Sequence, residues 1–188
     1  MTEDTKTRAT AILEAIKKAG IDLVASLPDI NCLDLINALE RDSDIIHVPL
    51  CREEEGIGIC AGARLVGKKP AIVMQNAGLL NSCNGIVTTG IQLELPILLI
   101  VYYAGDIGDR GFARVGTATI PVLEALGVLH YLLRDMPNRA LLARPFVRIL
   151  QAFVPLDLRN KSRGLAGCAT LALDRGIGGA LVGPRVIL

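Results

Sequence analysis

Four short apolar runs, each closed by a turn or a helical stretch, limit what this chain can fold into. They occupy residues 21–26, 44–50, 71–74 and 95–103 and are dominated by aliphatic side chains. A strand with one wet face alternates apolar and polar residues, whereas runs without that alternation suit a sheet covered on both faces. Strands separated by helical segments favour parallel β-α-β units over an antiparallel sheet. The expected architecture is one doubly wound α/β domain over 1–188, with a mainly parallel central sheet flanked by helices.

The helical segments follow from spacing. Residues 7–19 carry Ala11, Ile12, Ala15, Ile16 and Ala19 on one face, and Gly20 stops the pattern. Residues 32–39, 53–65, 79–91 and 119–126 read in the same way. Residues 104–117 hold four glycines among mixed charges, which reads as a long loop of the kind recruited as an active-site lid. Residues 172–175 read as the end of a helix, and 179–182 with 186–188 as a closing strand. Residues 131–163 fit no clear pattern.

Composition excludes several functions. Apolar residues make up 51% of the 188 and aromatics only 3%, so the core must be aliphatic. Twenty basic residues against nineteen acidic ones leave a charge of +1. That balance offers no basic footprint for nucleic acid. The longest apolar run, 95–104, is ten residues with Pro96 inside it, short of the roughly 20 that a membrane span needs. The first residues are polar and acidic, unlike a signal peptide. Cys32, Cys51, Cys60, Cys83 and Cys168 are odd in number and form no C-x-x-C pair, so buried reduced thiols and a cytoplasmic location are expected. His47 and His130 are too far apart for ligand spacing, and no metal is expected on this chain.

Three strand ends carry polar residues: Pro28-Asp29, Arg52-Glu53-Glu54-Glu55, and Gln75-Asn76-Ala77-Gly78. In a parallel sheet all three share one edge, the usual ligand position in open α/β sheets. Glutamates in a first helical turn complement the helix dipole, so this position alone leaves Glu53 either a surface charge or a working acid. Glu54 and Glu55 read as solvated helix-start charges, and Arg52 as a surface or ion-pair residue. His47 reads as a satisfied strand histidine.

The stretch Arg52-Glu53-Glu54-Glu55-Gly56-Ile57-Gly58-Ile59-Cys60-Ala61-Gly62-Ala63 resembles the glutamate motif of thiamine diphosphate-dependent decarboxylases, in their pyrimidine-binding domain. That motif sets a glutamate nine residues before a glycine, as Glu53 and Gly62 stand here. The run Gly67-Lys68-Lys69-Pro70-Ala71-Ile72-Val73-Met74-Gln75-Asn76-Ala77-Gly78-Leu79, with Asn81 and Asn84, is similar to the sulfopyruvate and phosphonopyruvate branch of that family. Pro96-Ile97-Leu98-Leu99 and Pro121-Val122-Leu123-Glu124-Ala125-Leu126-Gly127-Val128 extend the likeness.

The resemblance implies thiamine diphosphate as cofactor and Glu53 as the catalytic residue. The family's glutamate bonds N1′ of the aminopyrimidine and favours the imino form that removes the thiazolium C2 proton. The carbanion so formed adds to a 2-oxo acid, which then loses CO2. The resemblance also implies that Glu53, Pro28, Gln75, Asn76 and Gly78 contact the cofactor, and that Asp29, Arg52 and Asn81 meet the substrate. Its substrate would be 3-sulfopyruvate, giving sulfoacetaldehyde in coenzyme M synthesis in methanogens. Phosphonopyruvate decarboxylation, or a non-catalytic partner-binding module of the same fold, is the alternative.

The family binds the diphosphate through Mg2+ and a Gly-Asp-Gly motif. Gly105-Asp106-Ile107 and Gly108-Asp109-Arg110 lack the third glycine. A partner beta subunit would therefore carry the diphosphate-binding domain and Mg2+, in a hetero-oligomer built on dimers. Two departures bear on the substrate. Leu80 replaces a glycine and would crowd the pocket, and Ala104-Gly105 replaces an Arg-Gly pair.

Overall fold

The computed structural model describes residues 3–105, 109–132 and 169–174. Six parallel strands form one sheet in the order β2-β1-β3-β4-β6-β5. They are β1 (Leu23–Ser26), β2 (Ile46–Pro49), β3 (Pro70–Gln75), β4 (Leu98–Tyr103), β5 (Leu129–Leu132) and β6 (Ala169–Asp174). The helices are α1 (Glu3–Lys18), α2 (Leu33–Arg41), α3 (Glu53–Leu65), α4 (Asn76–Asn81), the single turn α5 (Cys83–Gly85) and α6 (Ala113–Ala125), with a π-helix at Ile86–Ile91. The doubly wound, parallel α/β architecture read from the apolar runs is the one observed.

Successive strand residues point to opposite faces, and here both faces are dry. Val24, Ala71, Val73, Leu98 and Ile100 join Ile12, Ile16, Leu35 and Leu39 of α1 and α2 in one core. Leu23, Ala25, Ile72, Met74, Leu99 and Val101 face the other way and join Ile57, Leu79, Ile86 and Leu123 in a second. Fully burying each large aliphatic side chain contributes about 1.5–3 kcal/mol, so both helical layers are needed to hold the sheet. β2 lies at the sheet edge, and Ile46 and Pro49 are exposed there.

Chain reversals follow local chemistry. Gly20 closes α1 at φ +71°, a left-handed conformation that costs glycine little. Lys17 bridges Asp42 and Asp44 at 2.8 and 2.7 Å, tying α1 to the turn before β2.

Several expectations are corrected. Residues 172–174 do not end a helix; they belong to β6 (Ala169–Asp174), between β4 and β5, and residue 175 lies outside the described residues. Ala and Leu favour helices in isolation, but pairing on both edges of this segment overrides that preference. β5 was not visible in the sequence. The 104–117 loop is shorter than expected, because α6 starts at Ala113. Gly116 lies inside α6 because its backbone meets that of Gly105, leaving no room for a Cβ on either.

The 79–91 helix starts earlier, at Asn76, directly on the end of β3. Ser82 interrupts it by hydrogen-bonding back to the Gly78 carbonyl at 2.7 Å. The closing strand expected at 179–182 and 186–188 lies outside the described residues, as does 131–163 apart from Tyr131 and Leu132 of β5.

Candidate functional site

α3 begins at Glu53, one turn of chain beyond β2, and all three acids 53–55 fall in its first turn. The orphan N–H groups and positive dipole end favour anions there. Glu55 reaches back, its Oε2 accepting the Cys51 N–H at 3.2 Å, much as a capping-box glutamate does. Glu55 is exposed, as expected, and also caps the helix. Glu54 departs from the expected solvated charge, since it is half-buried against the 76–91 segment.

The Glu53 side chain crosses the backbone of α4. A Cβ added to buried Gly78 would collide with the Glu53 Oε1, Cγ and Cδ atoms. Any larger residue at 78 therefore displaces this carboxylate, so the two positions form one unit. Leu50 and Ile57 are buried in the core on this side of the sheet. Gly56 lets α3 sit down on Ile72 and Leu50, because a Cβ there would overlap the Ile72 side chain.

A second group spans β1 and β3. The strand order reverses between them, since β2 follows β1 on one side and β3 on the other. Such switch points leave a crevice at the strands' carboxyl ends. Here Gln75 Nε2 donates to Asp29 Oδ2 at 3.0 Å, bridging the crevice. Asp29 Oδ1 also accepts the Asn31 backbone N–H at 2.8 Å and Nδ2 at 2.7 Å, an Asx turn. Asn31 was not singled out beforehand, although Asp-x-Asn after a strand is a recognisable turn pattern.

Asn76 has another part. It is fully buried, and its Nδ2 donates to the Ala104 carbonyl (2.8 Å) and to Thr119 Oγ1 (3.0 Å), while Oδ1 accepts the Ala104 N–H at 3.0 Å. Both amide protons are committed inside the protein. Asn76 therefore clamps the end of β4 and α6 behind the site, and Thr119 passes the chain on to the Val115 carbonyl at 2.7 Å. Tyr103 adds a hydrogen bond from its hydroxyl to the Gly116 carbonyl. Pro28, Arg52 and Asn81 are exposed at the same edge.

Buried Ser26 bonds His47 Nε2 at 2.8 Å across β1 and β2. Burial holds the His47 imidazole below its ordinary value, against an opposing pull from Glu40. Beside Asp29, burial and then the Asp29 charge push the Cys32 thiol up to about 12. Burial, then Cys32, Asp29 and Asp34, also raise the Tyr102 phenol. Cys32 and Cys60 are buried free thiols, Cys83 is intermediate, and Cys51 is exposed against expectation. Cys168 lies outside the described residues.

Leu80 is half-buried against the α3-side core. Asp109 accepts the Gly105 N–H at 3.1 Å and so shapes a loop. Among the described residues, no three His, Cys, Asp or Glu side chains gather as a metal site, and no helix is long and apolar enough to cross a membrane.

The edge therefore offers a carboxylate at a helix start, lying on bare backbone, beside a polar bridge over the switch point. This donor set fits the N1′ edge of an aminopyrimidine, which needs a carboxylate partner and a surface without side-chain bulk.

Comparison with known proteins agrees. Residues 6–106 match the family described as thiamine pyrophosphate enzyme, N-terminal TPP binding domain. The chain is 41% identical over 123 residues to sulfopyruvate decarboxylase subunit alpha of Methanococcus maripaludis, covering 64% of this chain and 74% of that protein. It is 45% identical over 105 residues to the subunit of the same name from Methanocaldococcus jannaschii, covering 56% and 62%. For the one from Methanothermobacter thermautotrophicus the figures are 40% over 120 residues, covering 63% and 73%. With its glutamate helix and glycine seat in that matched region, the chain belongs to the thiamine pyrophosphate enzymes, as their N-terminal TPP-binding domain.

Proposed function

We propose that this chain is the pyrimidine-binding subunit of a decarboxylase that converts 3-sulfopyruvate to sulfoacetaldehyde and CO2. The observation that carries the reading is the Glu53 carboxylate lying across Gly78. The names of the three archaeal relatives support the substrate. Thiamine diphosphate, when bound, supplies the electron sink that makes loss of CO2 from a 2-oxo acid feasible.

Glu53 would hold the aminopyrimidine through N1′ and exchange a proton there, which is general acid–base work by a positioned carboxyl group. Gly78 keeps the approach free of bulk. Gln75 holds the Asp29 carboxylate in place at the switch point, where Asp29 would face the substrate. Arg52 and Asn81, exposed at the rim, would meet the sulfonate. Pro28 would contact the cofactor, whereas Asn76 acts indirectly by fixing the strand end.

A partner subunit would hold the diphosphate and Mg2+, so this chain alone would be inactive. The cytoplasm, and a place in coenzyme M synthesis, complete the proposal. The test mixes this chain with a diphosphate-binding subunit, Mg2+ and thiamine diphosphate, and follows CO2 release from sulfopyruvate and from phosphonopyruvate. Turnover of sulfopyruvate that disappears in Glu53→Gln, with folding intact, is the expected result. Wild-type turnover in that variant would remove Glu53 from the mechanism. Preference for phosphonopyruvate would reassign the substrate.

A further inference from the structure

Two glycines on the 76–91 segment, not one, receive acids from α3. Glu53 crosses Gly78, and seven residues further on, about two helical turns, Glu54 lies over Gly85. A Cβ at Gly85 would stand 3.2 Å from Glu54 Cγ and 3.6 Å from the Ile57 side chain. The Glu54 Oε1 accepts a hydrogen bond from Asn84 Nδ2 at 3.4 Å. That bond is long, so packing of the methylene stem on Gly85 is the larger part of the hold.

We infer that Glu54 is a positioning residue for Glu53. This rests on the proposed role of Glu53 and extends it. Glu53 is the first residue of α3 and has no side-chain cap before it, because Arg52 provides none. On one side, Glu55 ties the first turn of α3 back to the Cys51 N–H. Glu54 supplies the restraint from the other side, pressing the first turn of α3 onto the 76–91 segment. With both in place, the carboxylate of Glu53 has one path, over Gly78. Without Glu54, the turn can lift and the carboxylate can leave that path. Glu54 touches no reacting atom and acts only through Glu53.

The test compares Glu54→Ala, Glu54→Gln and Gly85→Ala with the wild-type chain in the holoenzyme reconstituted with its diphosphate-binding subunit. A misplacement near 1 Å costs roughly 10²-fold in rate, so Glu54→Ala should lower kcat by about 10- to 100-fold with a smaller change in KM. Glu54→Gln keeps the stem and an acceptor oxygen for Asn84, and should recover most of that loss. Gly85→Ala, which displaces Glu54 Cγ by only a few tenths of an ångström, should lower kcat in the same direction but less, and the double variant should be no worse than Glu54→Ala. A second readout needs no cofactor: the 13C resonance of the Glu53 side-chain carboxyl in this chain alone. It should shift or broaden in Glu54→Ala and Gly85→Ala, and not in Glu54→Gln.

An unmoved Glu53 resonance together with wild-type kcat in Glu54→Ala would overturn the inference, whatever becomes of the function. A loss that Glu54→Gln fails to recover would also overturn it, because the negative charge rather than the brace would then be at work. An inactive wild-type complex in which the resonance still responds would sink the decarboxylase reading and leave the brace standing.

Discussion

Substituting Gly78 with alanine separates the site from the fold. The new Cβ would overlap the Glu53 carboxyl group and its Cγ, so something must move. The obstructing atoms are the far end of a flexible side chain that reaches half-exposed space. The backbone of α4 can therefore stay while Glu53 swings away. Overpacking in a rigid core costs about 1–3 kcal/mol, and the lower end applies here. A helical Gly→Ala change returns up to about 1 kcal/mol. The net stability change should stay within about 1–2 kcal/mol, a Tm shift of roughly 2–8 °C for a chain this size.

The activity term is far larger. A carboxylate pushed off its position by an ångström or more loses about 10²-fold in rate. Thermal melting of the chain and CO2 release by the reconstituted complex measure the two effects separately. Gly62→Ala provides the control, since a Cβ there meets nothing within 4 Å. A Gly78→Ala variant with wild-type turnover would refute the idea that this glycine seats Glu53. One that fails to fold would show that the contact serves the core instead.

Gly62→Ala itself should stabilise the chain by about 0.5–1 kcal/mol in urea unfolding, because the exposed helical glycine pays only chain entropy. Asn76→Ala should cost roughly 2–4 kcal/mol by the same assay, since it strands the buried Ala104 N–H and carbonyl together with Thr119. Cys32 is pushed up to about 12 by burial, so its thiol stays protonated when folded. The stability it contributes is complete below the ordinary thiol range near pH 8.5 and is lost as pH rises toward 12. Alkaline melting curves should show that loss, and Cys32→Ala should flatten it. At neutral pH, iodoacetamide followed by mass spectrometry should modify exposed Cys51 well before Cys32.

The central sheet was legible because β1, β3 and β4 are aliphatic and buried on both faces, which leaves a nearly continuous apolar signal. α3 was readable to the residue, as three acids announce its start and Gly67 follows its end. β6 was hidden because Ala-Thr-Leu-Ala-Leu has no local preference for a strand; its neighbours on both sides decide. Glu53 and Gly78 could each be found from their motif. Their contact could not, because 25 residues separate them and only the packing of α3 on α4 joins them. The clamp at Asn76 was not foreseen for a related reason. A polar residue ending a strand looks like a ligand contact until the Ala104 and Thr119 partners come into view.

The order β4-β6-β5 has a consequence for how the chain is made. Among the described residues β5 pairs with β6 alone, and β6 lies between it and β4. During synthesis, β1 to β4 can assemble with both helical layers while 169–174 is still inside the ribosome. Until that segment emerges, the β4 edge and the β5 edge both lack the strand that pairs with them in the finished sheet. A chain that stopped short of residue 169 would carry the glutamate site on a sheet missing the strand that joins β4 to β5.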